Sequence, residues 1–522
     1  MNKPVKNKTL LSLFRQFPFP IISGQPDETI LNNIVSDSRL IQDGNLFVAT
    51  RGENLDAHKF IPQAVQRGCA AVIGMESKVK LDIPYIQVGN SRQALAYLSA
   101  AFYGFPARKL VMIGVTGTDG KTTTCSLIYE ILKSAGIKTG MITTLNAVIG
   151  DQFLDTGYHV TTPDSTEIQK YLSLMVEKGI THVILETTSH GWAQYRVDAC
   201  EFDIGVITNI THEHLDEHGT YENYVAAKGR LLESLFDTKT KKTGNPRLAV
   251  LNADDKSIEF LKPFVKTSYC TYGFESPADI YVEKDSLQDE KVDFIVHGPE
   301  WKTHVSSNLV GFYNISNCLA ALAATVVGIG VDPQKASVGI RNLKYIPGRL
   351  EIIDLGQDFT AIVDFAHTPN ALERVLRTVR SLTTERVIVI VGSAGLRDKA
   401  KRRMMAEVAV TNADFSIFTA EDPRTESLTD ILLDMAAGAK AINSKEGINF
   451  NIIPDRRDAI RLGVSMANQG DLVIACGKGH EQSMCFGTIE YPWDDRTALK
   501  AAISEIRNIP GPRMPLLPPQ KN

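Results

Sequence analysis

Leu110-Val-Met-Ile-Gly-Val-Thr-Gly-Thr-Asp-Gly-Lys-Thr-Thr-Thr124 decides the fold. Its apolar start, Leu110 to Val115, reads as a buried strand. The glycine-bearing turn that follows leads into a helix expected over Thr122 to Ala135, apolar at Leu127, Ile128, Ile131, Leu132 and Ala135 and stopped by Gly136. A turn between a strand and a helix aims backbone N–H groups and the positive end of the helix dipole at a phosphate. Gly117, Thr118, Asp119, Gly120, Lys121, Thr122 and Thr123 therefore form the expected nucleotide cradle, with Lys121 neutralising phosphate charge and the Thr122 hydroxyl offered to Mg2+. The general phosphate-loop pattern has a glycine where Val115 stands, so this is a shortened variant. The plain alternative is a glycine turn with a solvated lysine.

Outward from this loop, buried strands are expected at Thr181 to Leu185, Ile204 to Ile207 and Leu248 to Leu251, separated by helix-like segments. The economical fold is a mainly parallel sheet covered by helices. Before the loop, Asn32 to Val88 alternates short apolar runs with polar turns and reads as a small mixed α/β domain. After Pro347-Gly348 the alternation restarts, with strands at Phe359 to Val363, Val387 to Val391, Phe415 to Thr419 and Leu472 to Ala475, and helices at Asn370 to Ser381 and near Lys401 to Val410. That pattern is a doubly wound, Rossmann-like domain, and Pro510 to Asn522 reads as a proline-rich tail with no fold of its own. The expectation is an α/β protein of three domains, 1–108, 109–347 and 348–522.

The 522 residues are 43% hydrophobic and 22% charged, with a formal net charge of -4. No basic run marks a nucleic-acid or membrane surface, and no apolar run is long enough to span a bilayer. The basic start, Met1 to Thr9, runs into Arg15, Gln16 and Pro18 and makes a poor signal peptide. Seven scattered cysteines without a CxxC pair argue against a disulfide framework or a structural zinc site. A cytoplasmic protein acting on small molecules is expected.

Gly114-Val-Thr-Gly-Thr-Asp-Gly-Lys-Thr-Thr-Thr124 resembles the ATP-binding loop of the Mur ligase superfamily, which also contains folylpolyglutamate synthases. Ser36-Asp-Ser-Arg39, Gly44-Asn-Leu-Phe-Val-Ala49, Thr161-Thr-Pro-Asp164, Glu186-Thr-Thr-Ser-His-Gly191 and Asp364-Phe-Ala-His-Thr-Pro369 resemble its tripeptide-synthetase branch, and the resemblance runs through all three expected domains. It implies an ATP-dependent ligase of cell-wall (peptidoglycan) synthesis that adds an amino acid to UDP-N-acetylmuramoyl-L-alanyl-D-glutamate. The expected course is an acyl phosphate, with ADP and phosphate released. A folylpolyglutamate-synthase-like ligase would lack the Ser-Asp-Ser-Arg domain. A non-catalytic ATP-binding descendant would have no need of a second metal site.

The resemblance also implies roles. Glu186, at a strand end, joins Thr122 on Mg2+; His214, in the loop Thr208-Asn-Ile-Thr-His-Glu-His-Leu-Asp-Glu-His-Gly219, holds a second Mg2+. His212 and His218 are loop groups, and Glu213 stands where the family has Asp. Lys228 matches a lysine that relatives carbamylate with CO2, and a solvated helical lysine is its plain alternative. Uridine is expected at Ser36, Ser38, Glu53 and Asn54, and the muramoyl-peptide at Thr161, Thr162, Thr188, Gln194 and Arg196, whose guanidinium suits a carboxylate. Asn314, Arg349 and His367 are expected on the nucleotide, and Arg397, Glu421, Asp422, Arg424, Gly477 and Glu481 on the incoming amino acid. Enzymes using meso-diaminopimelate carry Asp-Asn-Pro-Arg where this chain has Glu421-Asp-Pro-Arg424. Two acids make a more anionic pocket that could also take L-lysine or L-ornithine, with diaminopimelate ahead. The expected partners are the nucleotide-linked precursor and a free amino acid, and the expected state is a monomer.

Overall fold

The structure is a computed structural model and describes residues 8–52, 55–77, 79–156, 161–211, 219–275, 277–287 and 292–518. The chain divides into two compact units, Met1–Tyr281 with Leu319–Ala336, and Val282–Cys318 with Ser337–Asn522.

Besides a two-stranded pair, Lys8–Thr9 with Ile30–Leu31, the first unit holds a five-stranded sheet and strands of a larger one. In the first, Ile21–Ser23, Tyr85–Val88, Ala71–Gly74, Asn45–Val48 and Asn33–Val35 lie side by side in that order, parallel except for Ile21–Ser23. Helix Ser91–Phe102 covers it. The Asn90 side chain caps that helix by accepting from the Arg92 and Gln93 amides, and Leu95, Leu98 and Phe102 pack against Leu46, Val48, Ile73 and Ile86. Each aliphatic side chain so buried contributes about 1.5–3 kcal/mol.

In the other sheet Val111–Thr116 is central, between His182–Glu186 and Ile204–Ile207, and all three are parallel. Their registers pair Glu186 with Val115 and Ile207 with Thr116, so the three carboxyl ends coincide. Leu248–Asn252 and Ser268–Gly273 extend the sheet on one side, Thr139–Ile142 and the hairpin Ala147–Ile149/Gln152–Leu154 on the other. A fully buried pair, Asp203 and Lys241, 2.5 Å apart, anchors the start of the central strand, because Asp203 also accepts from the Met112 amide at 2.8 Å. Helix Lys121–Ser134 follows the turn and buries Leu127, Ile128, Ile131 and Leu132.

The second unit carries the sheet Glu351–Ile352, Thr360–Asp364, Leu472–Cys476, Val387–Val391, Phe415–Phe418, Phe450–Ile452, parallel but for its first strand. Val387, Val389 and Val391 pack with helices Pro369–Arg380, Lys399–Asn412 and Leu428–Ala441, while Ile388 and Ile390 pack with Arg456–Met466 and Asp495–Arg507. Alternate residues of one strand thus serve opposite helical layers, which is the doubly wound arrangement. Leu472–Cys476 returns between two earlier strands, and a crevice at the carboxyl ends follows from that reversal. The stretch expected as a tail without a fold of its own has no regular structure as far as 518, and its Leu517 is buried against the layer of Ile353, Phe359 and Trp493.

Candidate active site

The coincident strand ends build the phosphate cradle. Gly117 has φ of +153°, and a Cβ there would stand 1.9 Å from Thr208 Oγ1, so only glycine fits this close approach. The turn is held from the neighbouring strand end: the Thr118 amide donates to Asn209 O at 2.7 Å, the Asp119 amide to Asn209 Oδ1 at 3.0 Å, and Thr208 Oγ1 donates to Asp119 O at 2.6 Å. Gly120, with φ of +77°, opens the helix, and Lys121 Nζ donates to Thr118 O at 2.8 Å. Thr122 Oγ1 lies 3.1 and 3.0 Å from the two Glu186 carboxylate oxygens, both residues are buried, and the Thr144 amide donates to Glu186 Oε2 at 3.1 Å. A hydroxyl and a carboxylate beside a phosphate-binding turn are the hard oxygen donors that Mg2+ takes, so this pair fits the metal.

Lys228 comes from helix Tyr221–Asp237 and is buried rather than solvated; its Nζ donates to Gly117 O at 2.8 Å and sits 4.5 Å from the centre of the Tyr224 ring. Tyr224, whose hydroxyl is 3.2 Å from Thr118 Oγ1, went unnoticed in the sequence, as did Asn209 and Thr144. His214, Glu213, His212 and His218 lie outside the described residues, as do Glu53 and Asn54.

On the same unit, the Thr162 and Thr188 hydroxyls are 3.2 Å apart, and Thr162 Oγ1 donates to Glu186 O at 3.3 Å. Thr188 also caps the short helix Ser189–Ala193, accepting from the Gly191 amide. Arg196 is held by three of its N–H groups: Nη1 to Thr162 O at 2.7 Å, and Nε and Nη2 to Gln194 Oε1 at 3.1 and 2.7 Å. Arg92, from the capped helix of the first sheet, donates to the same Gln194 oxygen at 3.1 Å. Two guanidiniums therefore converge on one amide, a juxtaposition that residues so far apart in the chain do not announce. Ser36 and Ser38 follow the strand Asn33–Val35, and Arg67 Nη1 donates to Ser38 O at 2.9 Å. Asp56, His58 and Glu76 bring ligand atoms within 4.8 Å of one another. His58 Nδ1 faces Asp56 at 2.6 Å, its Nε2 accepts from the Met75 amide at 2.8 Å, and Arg51 binds Glu76 at 2.8 Å, so the group is satisfied as a structural network.

In the second unit the loops after Asp364, Val391, Phe418 and Cys476 share one edge. Phe365 gathers the nucleotide candidates: Arg349 stacks 4.4 Å over its ring, and the His367 ring lies 4.5 Å away. Asp364 is buried, which pushes its pKa up against the pull of Arg349, and it accepts from the Leu350 and Ala366 amides, both at 2.7 Å. Asn314 is engaged elsewhere, donating to Val310 O at 2.7 Å.

The Glu421-Asp-Pro-Arg424 loop departs from the expectation of two acids facing a ligand. Asp422 binds the buried Lys478 ammonium at 2.9 and 3.0 Å and accepts from the Cys485 amide at 2.9 Å, so its charge is compensated within the fold. Lys478 also meets Glu481 at 2.5 Å. Glu421 is buried, and its Oε2 has no hydrogen-bond partner. Burial pushes its pKa up to about 7, although Lys401, Arg456 and Lys478 pull the other way. A Cβ at Gly477 would stand 2.4 Å from Glu421 Oε2, which explains the glycine. Asp422 and Arg424 have φ of +40° and +55°. Backbone strain of this kind costs about 1–3 kcal/mol per residue and gathers at functional sites. Arg397 is exposed at the end of the neighbouring loop.

Comparisons place these features among known proteins. Residues 31–103 match the model "Mur ligase family, catalytic domain", 115–325 match "Mur ligase middle domain", and 348–479 match "Mur ligase, glutamate ligase domain". The UDP-N-acetylmuramoyl-L-alanyl-D-glutamate--2,6-diaminopimelate ligase of Geobacillus kaustophilus is 40% identical over 482 residues, 92% of this chain and 96% of that protein. A UDP-N-acetylmuramyl-tripeptide synthetase of Roseiflexus is 40% identical over 91% of this chain and 94% of its own length. A solved UDP-N-acetylmuramoyl-L-alanyl-D-glutamate--2,6-diaminopimelate ligase superposes with a TM-score of 0.64 at 28% identity, covering 96% of this chain and 99% of that one. MurF from Thermotoga maritima, solved in complex with ADP, shares the fold with a TM-score of 0.57 at 20% identity, over 85% of this chain and 93% of its own.

Proposed function

The chain belongs to the Mur ligase family, and from that premise we propose that it joins meso-diaminopimelate to UDP-N-acetylmuramoyl-L-alanyl-D-glutamate in peptidoglycan synthesis, at the expense of ATP. The observation that carries this reading is the convergence of Thr122, Glu186 and Lys228 on the turn from Gly117 to Lys121. A buried carboxylate, hydroxyl and amine at a nucleotide cradle exceed what nucleotide binding alone requires, which disfavours a non-catalytic descendant. Support for the substrate comes from relatives at about 40% identity along nearly the whole chain, and from the N-terminal sheet that carries Ser36 and Ser38.

In this reading segment 1–108 takes the uridine end of the precursor, 109–347 takes ATP, and 348–522 takes the amino acid. A carboxylate is a poor acyl donor. The precursor's D-glutamate carboxylate therefore attacks the ATP γ-phosphorus, forming an acyl phosphate and releasing ADP; the amine then attacks the acyl carbon and phosphate leaves. Lys121 offsets charge on the phosphates as it shifts, and Arg196, held by Thr162 and Gln194, receives an acidic group of the precursor without having to be ordered first. Thr122 and Glu186 would hold one Mg2+, which would supply positive charge to the triphosphate, and by resemblance a carbamylated Lys228 would hold a second together with His214. Lys228 suits carbamylation by its burial at the loop, because a carbamate exchanges an ammonium for an anionic oxygen. The protein works as a cytoplasmic monomer; among the described residues no helix is long and apolar enough to cross a membrane.

The test is incubation with the precursor, ATP and Mg2+ and, separately, meso-diaminopimelate, L-lysine or L-ornithine, reading phosphate release and product mass. Tripeptide product with diaminopimelate, accompanied by ADP and phosphate, is expected. AMP and pyrophosphate, or no product with any of the three, refutes the reading.

A further inference from the structure

Three loops meet at Asp422. Its main-chain oxygen accepts from the Gly395 amide at 3.0 Å, its Oδ1 accepts from the Cys485 amide at 2.9 Å, and both carboxylate oxygens bind Lys478. The loop after Val391, the loop after Phe418 and the segment after Cys476 are thereby tied together. A further tie comes from the Arg424 amide on Cys485 O at 3.0 Å and the Gly487 amide on Arg424 O at 2.7 Å. Lys478 has no exposed side-chain surface. Burial alone would lower its pKa, yet the Glu481 and Asp422 carboxylates more than reverse this and raise it, so the ammonium stays charged. Arg424 and Glu481 are both partly exposed.

We infer that Lys478 sets the charge of the amino-acid pocket: by joining Asp422 to Glu481 it cuts the net negative charge of these side chains from two to one, which, relative to a pocket without the lysine, favours an amino acid with a distal carboxylate over one with only a distal ammonium. Lys478 is a positioning residue in this account. It acts through Glu481 and through the loop that carries Arg424. The inference rests on the reading that this edge takes the incoming amino acid. Meso-diaminopimelate carries a carboxylate and an ammonium at its far end, lysine an ammonium alone, so each negative charge added to the pocket favours lysine.

The experiment compares kcat/KM for diaminopimelate with that for L-lysine in the full chain at neutral pH, for wild type, Lys478→Met, Asp422→Asn and the double variant. Lys478→Met leaves two net negative charges and should lower the ratio about tenfold, Asp422→Asn leaves none and should raise it severalfold, and the double variant should return to within about threefold of wild type. A merely structural lysine predicts a different order, in which the ratio holds steady or follows the melting temperature and the double variant shows no return. Equal ratios for Lys478→Met and the double variant overturn the inference. If Lys478→Met does not fold, Asp422→Asn decides: an unchanged ratio overturns it. A wild-type chain that joins neither amino acid refutes the ligase reading itself, a result distinct from any difference among variants.

Discussion

Replacing Glu421 by glutamine probes the electrostatics of the C-terminal edge, because the substitution keeps the shape and removes the titration. The carboxyl is buried, its Oε2 meets no donor, and burial moves its pKa from the usual 4.5 to about 7. Between those values the folded chain holds a proton that the unfolded chain has already released, so stability falls as pH rises through that window. At about 1.4 kcal/mol for each tenfold change in proton activity, the wild type loses about 3 kcal/mol that the glutamine variant keeps. For a unit of this size that equals about 6–12 °C in melting temperature. The local measurement is hydrogen exchange at the amides of Val387–Val391, whose side chains are buried in the core of the same sheet. Exchange free energies of Glu421→Gln and wild type should nearly coincide at about pH 4.5 and differ by about 3 kcal/mol at about pH 8, the variant being the more stable. A difference that stays constant across this range to within about 1 kcal/mol refutes the argument, since it means that Glu421 titrates as an ordinary acid.

Two further outcomes test the nucleotide cradle. Lys228→Ala should keep ADP binding but lose turnover by about a hundredfold or more, and added short carboxylates should restore part of it; full activity, or loss without rescue, removes the case for a carbamate. Gly117→Ala places a Cβ 1.9 Å from Thr208 Oγ1. It should destabilise the first unit by about 1–3 kcal/mol and weaken ADP binding in calorimetry, whereas wild-type affinity would show that the turn relaxes freely.

Much of this architecture is legible in the chain because it is locally encoded. Val387–Val391 is an uninterrupted β-branched run, found at its full length, and the turn between Thr116 and Lys121 declares itself by adjacency alone. Thr139–Ile142 and Phe450–Ile452 escaped notice because each has only two strongly apolar residues, Met141 and Ile142 in the first, Phe450 and Ile452 in the second. Their strand character comes from the neighbours that pair with them. The site divides in the same way. Thr122 and Glu186 are 64 residues apart and meet because the parallel strands that precede them end in register, an outcome of topology that a resemblance could supply and spacing could not. The resemblance names Gln194, but the contact that Arg92 makes with it from 102 residues away had neither signal.

Asp422 shows what residue type alone leaves undecided. A second acid beside Glu421 implies a more anionic pocket only if both carboxylates face the ligand. In the fold Asp422 directs its charge to a lysine 56 residues away, and burial pushes the Glu421 pKa up to about 7. Both effects depend on where the chain returns. Leu472–Cys476 runs between Thr360–Asp364 and Val387–Val391, and this strand order carries Lys478 into contact with the loop after Phe418. The selectivity of the edge is therefore a property of strand order as much as of the four residues Glu421-Asp-Pro-Arg424, and a change at Lys478 should alter it without touching them.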